Sequence, residues 1–185
     1  PYPAWLTTIS HALASGGAAL FLGGGFREFA IASVLGLAIG LLGLLAGRWP
    51  KVRPIFEPLA AFAVALGGHL LAHLFAPASV FVVTLAGLIV LVPGFMLTVA
   101  LTELATRQWA SGTARLAGAA AIFLTIGFGV ALGGRLGTAL LGPAGAAPSV
   151  SMLTWTEWVA MLLAPLSFTV LLRAELRDAG WILAT

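Results

Sequence analysis

The chain has 185 residues, of which 61% are hydrophobic and 8% charged, and its mean hydropathy is +1.09. Soluble domains carry roughly 25% charged residues, so this composition excludes a disordered tail, an ordinary soluble enzyme and a nucleic-acid-binding module, and leaves an integral membrane protein. The net charge of +3 comes from Lys and Arg in short gaps between apolar runs, which topology explains better than nucleic acid does, and the absence of cysteine removes disulfides, thiolate metal ligands and a cysteine nucleophile.

A spanning helix needs about 20 mostly apolar residues, and six stretches meet that requirement. They cover about 4–23, 29–47, 55–75, 79–100, 113–134 and 155–172. Trp5, Trp155 and Trp158 stand at span edges, where an amphipathic ring suits the headgroup level. The predicted fold is therefore all-α, a polytopic transmembrane bundle of about six spans. Residues 1–134 read as a first membrane half and 135–154 as an extracytoplasmic loop with the Gly/Ala/Pro-rich stretch 142–148. Residues 155–185 read as the first helix of a second half and the start of the next, so the chain reads as part of a longer protein.

The loops after the second, fourth and sixth spans hold Arg48, Lys51, Arg53, Arg107, Arg115, Arg173 and Arg177, whereas the other loops hold only Arg27 and Arg135. The positive-inside rule places the seven in the cytoplasm, and with them both ends of the chain. All fifteen charged residues fall near span ends or in loops, which argues against a voltage sensor or a carboxylate-chain proton pump. Glycines recur four apart at Gly36/Gly40, Gly43/Gly47 and Gly129/Gly133, a spacing that lets another backbone approach one helix face.

The most informative stretch is Leu91-Val92-Pro93-Gly94-Phe95-Met96-Leu97-Thr98, continuing to Thr102-Glu103-Leu104. Proline removes a helix hydrogen bond and clashes with the preceding turn, and glycine beside it relaxes the chain. The fourth span should break near Pro93-Gly94, roughly 20 Å in at about 1.5 Å per residue. A half-helix starting there points its N–H groups back toward the membrane centre, as transporter sites for carboxylates do. Thr98 and Thr102 share one face and offer hydroxyls to a small polar solute; equally, they can bond their own helix backbone across a structural kink.

Glu103, Arg107, Ser111 and Arg115 continue at spacings of four. If the helix continues, Glu103 and Arg107 can pair, either as a solvated helix end or as a cytoplasmic gate, with Ser111-Gly112 as the hinge into the fifth span. His69 and His73 are also four apart and can share a metal, but no third ligand lies nearby, so no metal or other cofactor is predicted. His11, His69 and His73 are instead candidates for a proton-linked role. An intramembrane enzyme needs a nucleophile or metal cluster at depth, and only this histidine pair comes near one, so the chain reads as a non-enzyme.

The run Gly87 to Thr98, followed by Glu103-Leu104 and Ser111-Gly112-Thr113-Ala114-Arg115-Leu116, resembles the threonine/serine exporter family. That family carries a VPG-x-x-LT-x-A-L-x-[DE]-L pattern and then SG-x-A-R. Residues 12–25 resemble its small-residue first helix, and 158–177 the helix opening its second half. The resemblance implies export of threonine and serine across the bacterial inner membrane, coupled to the proton motive force. It also implies about ten helices in two halves, sometimes on separate chains, with a cytoplasmic domain before the first. Substrate contacts then fall to Pro93, Gly94, Thr98 and Thr102, and a gate or anchor to Glu103, Arg107, Ser111 and Arg115. Val99-Ala100 stands where many relatives carry an asparagine. The expected partners are threonine or serine, membrane lipid, and a second copy or second-half chain; a half-transporter or scaffold awaiting that chain is the alternative.

Overall fold

The computed structural model describes residues 2–49, 51–143 and 154–172, all as helices and their connecting turns, with no strand among them. Seven α-helices follow in order: α1 Ala4–Phe21, α2 Phe26–Arg48, α3 Phe56–Leu74, α4 Val80–Leu88, α5 Gly94–Ala105, α6 Trp109–Leu141 and α7 Thr154–Leu171. A single 3₁₀ turn, Arg53–Ile55, leads into α3 with Pro54 in its first turn. The predicted spans map onto these helices, with the fourth divided between α4 and α5. By length and composition, Phe26–Arg48, Arg53–Leu74 and Trp109–Leu141 are each apolar enough to cross a membrane. Arg173, Arg177 and most of the 142–148 stretch lie outside the described residues.

The chain turns at Gly23-Gly24-Gly25, between α1 and α2, and at Ala76-Pro77-Ala78, between α3 and α4. Gly23 takes φ +76°, a left-handed conformation that favours glycine. The Cβ that any other residue would bring at Gly24 lies 2.8 Å from the Ala19 carbonyl oxygen and 2.9 Å from Val82. Ser79 caps α4, its hydroxyl accepting from the Val82 N–H at 3.3 Å.

Close contacts fix the direction of each helix. Gly36 lies against His11 and Ser15, and Gly40 against Thr8, so α1 and α2 run antiparallel. Gly67 meets Leu35 and Gly43 meets Phe56, so α2 and α3 do too. Gly68 meets Thr84 and Gly87 meets Val64, so α4 returns along α3. On α6, Gly129, Gly133 and Gly137 lie in turn against Pro58, Phe62 and His69, so α6 runs parallel to α3. α4 makes the return along α3, and α5 continues past the start of α3, packed on the first half of α6. The α2–α3 turn, with Arg48, Lys51 and Arg53, marks one end of the bundle, and the α5–α6 hairpin, with Arg107 and Arg115, extends past that end, since Gly112 lies about 25 Å before Gly129 along α6 and Gly129 already lies against Pro58 at the start of α3; Arg27 and Arg135 lie toward the opposite end.

The core lies between α2, α3, α4 and α6, where Ile31, Leu35, Ile39, Val64, Val83 and Leu88 are buried together. Small residues draw α1 onto α2 and α6 onto α3. Of the three glycine pairs, Gly36/Gly40 and Gly129/Gly133 sit at close helix contacts, but Gly43 has only ordinary contact with Phe56 and Gly47 faces open space. Without hydrophobic drive between helices in lipid, such close backbone packing supplies the association energy.

This packing predicts a contrast. A Cβ at Gly133 would stand 2.6 Å from the Phe62 carbonyl oxygen, while one at Gly127 meets nothing within 4 Å. Gly133→Ala should destabilise the α3–α6 interface by about 1–3 kcal/mol, and Gly127→Ala should be neutral or stabilising by up to ~1 kcal/mol. Thermal unfolding of the detergent-purified variants measures both.

Candidate functional site

The broken span sets the site. The ring of Pro93 would collide with the carbonyl of Ile89 in a continuous helix, and the residue before a proline is pushed out of the α region. Accordingly α4 stops at Leu88, a full turn before the proline. The intervening turn is held by Leu91 N–H donating to the Leu88 carbonyl at 2.8 Å, and the Leu91 side chain is buried in the core. Gly94 N–H donates to the Val92 carbonyl at 2.8 Å around Pro93 at φ −79°, ψ 51°, which is an inverse γ-turn. Leu97 N–H donating to the Pro93 carbonyl at 3.0 Å then starts α5.

Pro93 is the N-cap of α5 and has no side-chain acceptor, so no side chain caps the first turn. The amides of Phe95 and Met96 belong to that turn, whose N–H groups have no partner within the helix. Gly94 is exposed, and a Cβ there would meet nothing within 4 Å. Thr98 donates its hydroxyl proton to the Gly94 carbonyl at 3.0 Å, Thr102 to the Thr98 carbonyl at 2.9 Å, and Thr106 to the Thr102 carbonyl at 3.0 Å. Each hydroxyl oxygen keeps acceptor capacity. The three threonines form an exposed stripe that begins at the break.

α5 packs on α6 and on no other helix to a comparable extent. Ala100 is its one buried residue, and Phe95 and Leu101 are 70% and 60% exposed. α6 divides its length accordingly: Gly112 and Gly118 lie against Leu104 and Met96 of α5, while Gly129 to Gly137 lie against α3. The face bearing Gly94, Thr98 and Thr102 is therefore open.

The gate stripe is arranged differently from the helical expectation. α5 ends at Ala105 and α6 starts at Trp109, with Arg107 between them at φ 64°. The turn falls at 106–108, so the hinge precedes Ser111-Gly112, and the Glu103–Arg107 pair of a continuous helix does not form. Gly112 sits instead inside α6, tight against Leu104. Glu103 Oε1 accepts from Arg115 Nε at 2.9 Å, with side chains 17% and 51% exposed, so the ion pair closes the hairpin across twelve residues. Ser111 donates to the Gln108 carbonyl at 3.2 Å. The second carboxylate oxygen of Glu103 is buried without a partner.

The three histidines are on helices that do not pack on α5. His11 on α1 has Nδ1 2.7 Å from the Thr7 carbonyl oxygen. His69 has Nε2 3.3 Å from the Thr138 hydroxyl and a buried, unpartnered Nδ1. It borders an apolar cleft of about 250 Å³ between α3, α4 and α6, lined also by Thr84, Leu88 and Val130. His73 is exposed. No group of three potential metal ligands forms among the described residues.

The sequence reading placed Glu28 only as a helix-end charge. It is 5% exposed, and its carboxylate accepts from the Gly25 N–H at 2.8 Å and the Ser79 N–H at 2.9 Å. The first bond was legible, since Glu28 stands three residues after the N-cap glycine in the capping-box position. The second joins residues 51 apart, which local pattern does not reveal.

A helical bundle with a span broken at a proline, small-residue interfaces and an exposed hydroxyl stripe is an architecture that membrane transporters use. Residues 1–137 match the family model described as "Putative threonine/serine exporter", and the chain belongs to that family. Over 138 residues it is 28% identical to pheromone-regulated membrane protein 10 of Kluyveromyces lactis, covering 73% of this chain and 14% of that protein. The chain thus spans about a seventh of that relative's length. No solved structure matches. Transporters are not a class of enzyme.

The hairpin geometry yields a double-mutant cycle. Glu103→Gln with Arg115→Gln should show a coupling of about 0.2–1 kcal/mol, the range of a partly exposed pair, whereas Glu103→Gln with Arg107→Gln should show none. Chemical unfolding of the three single and two double variants and the parent protein reads both couplings.

Proposed function

We infer that the protein exports threonine and serine from the cytoplasm, coupled to the proton motive force, and that the start of α5 carries the solute. Family membership supports the class of activity. The observation that carries the site is the uncapped half-helix at Pro93 running into the Thr98/Thr102 stripe. In this reading the first-turn amides of α5 receive the substrate carboxylate, where the helix dipole favours negative charge. The threonine oxygens have donated their protons inward, so they accept from the ammonium or hydroxyl of the substrate. Glu103 and Arg115 anchor the hairpin at the cytoplasmic end, with Arg107 and Ser111 in and after its turn. The bundle lies in the bacterial inner membrane with the Arg48–Arg53 and Arg107 end inside. Residues 1–134 are the first membrane half, and residues 155–185 open the second.

A specific observation also favours a second reading. Among the described residues the hydroxyl face of α5 is exposed and α5 packs chiefly on α6. A partner half, whether further chain or a separate subunit, would complete the pathway there, leaving this segment inactive by itself.

The test is threonine efflux from cells loaded with a threonine-containing dipeptide, comparing the full-length protein with an empty vector. Faster efflux abolished by an uncoupler is the expected result; equal efflux with the protein present in the membrane overturns the reading. Pro93→Ala should lower the efflux rate at least tenfold by straightening the span. Thr98→Val should slow it by about tenfold, the effect of one lost hydrogen bond of ~1–1.5 kcal/mol, while Thr98→Ser retains most of the rate.

A further inference from the structure

Glu28 is a buried carboxylate to which the exporter reading assigns no part. Its two oxygens are divided between two turns at the same end of the bundle. One accepts from Gly25, which closes the α1–α2 turn, and the other from Ser79, the N-cap of α4. Arg27 reinforces the same joint, its guanidinium donating to the Ala76 carbonyl at 2.8 Å. His73, exposed on the last turn of α3, is the other titratable side chain nearby in sequence; α4 carries none, and the histidine of α1 lies toward its opposite end.

An ionised carboxylate accepts at both oxygens, and a protonated one turns one oxygen into a donor. Here each oxygen faces a backbone N–H, so a proton on Glu28 removes the charge that strengthens both bonds and cuts the acceptor capacity of one oxygen, which weakens the joint. Since bonds to ionised groups are roughly twice as strong as neutral ones, the loss is concentrated at this joint. α4 is short, nine residues, and is followed directly by the 89–92 turn, so freeing its N-terminus releases a whole half-span.

We propose that Glu28 is a proton-released latch, a positioning residue that holds the start of α4 against the α1–α2 turn when ionised and lets it part when protonated. This rests on reading α4 and α5 as the moving span of a transporter.

The sequence has no cysteine, so Ala78→Cys, at a position 6% exposed beside Ser79, is a single reporter in the full-length protein. Maleimide labelling in nanodiscs is normalised to Leu22→Cys, an exposed position in the facing turn. As pH falls from about 7 to about 4, normalised labelling of Ala78→Cys should rise on the order of tenfold, one charge-assisted hydrogen bond's worth. Adding Glu28→Gln should give fast labelling at neutral pH with no further rise, and Glu28→Asp should keep the pH dependence. Labelling indifferent to pH, or slow in Glu28→Gln, overturns the latch; if Glu28→Gln fails to reach the membrane, the pH response of the parent reporter and of Glu28→Asp decides. Threonine efflux by the same proteins separates the two readings. A pH-responsive latch without efflux overturns the exporter alone, and efflux without a labelling response overturns the latch alone.

Discussion

A helix in lipid must satisfy its backbone within itself, and Pro93 makes that impossible at one point of the fourth span. Much of the architecture follows. α4 ends a turn early because the proline ring would strike the carbonyl of Ile89, and the connecting residues fold inward to bury Leu91. The chain restarts through an inverse γ-turn, and α5 departs from α4 to lie along α6. The break gives α6 two successive neighbours, α5 over its first half and α3 over its second.

The second half of α6 can lie against α3 because glycine recurs on the contacting face. Gly129, Gly133 and Gly137 meet the backbone or side chains of Pro58, Phe62 and His69 at distances that exclude a Cβ. On α1 and α7 the buried polar side chains are mostly satisfied locally. Thr8, Ser10, Ser167 and Thr169 each bond a carbonyl four residues back on their own helix. Long-range polar contacts are concentrated at the turns, where Arg27 and Glu28 bind one end of the bundle and Glu103 and Arg115 bind the hairpin toward the other. Helix faces supply proximity, and the turns supply the polar joints.

Those two kinds of contact were unequally legible in the sequence. Apolar run length located the helices, three of which are long and apolar enough to cross a membrane, and the helix directions put Arg48, Lys51, Arg53, Arg107 and Arg115 toward one side and Arg27 and Arg135 toward the other. Pro93 announced its own break, since its missing N–H is a local fact. The hairpin was not legible. The stripe from Glu103 to Arg115 has perfect helical spacing, and only the left-handed conformation of Arg107, a residue without glycine's freedom, divides it. Periodicity describes what a helix would do if continuous and carries no information on whether it continues. Glu28 escaped for a related reason: its distance from a helix end is sequence-local, whereas its burial depends on a second turn 51 residues away.

The open face of α5 joins these strands. Its threonines turn their protons onto their own backbone and present only acceptors, while the start of the same helix presents only donors. A solute that fits both offers an acceptor and a donor a few ångströms apart, and under the proposed exporter reading the carboxylate and ammonium of a free amino acid supply them. Neither set recognises a side-chain hydroxyl exclusively, since an acceptor stripe serves an ammonium as well as an alcohol. Discrimination for threonine or serine then depends on where the side chain lands, and on the bare hydroxyl face of α5 that wall is missing. The surface that covers α5, rather than α5 itself, would set the substrate's identity, and the hydroxyl stripe would set its class.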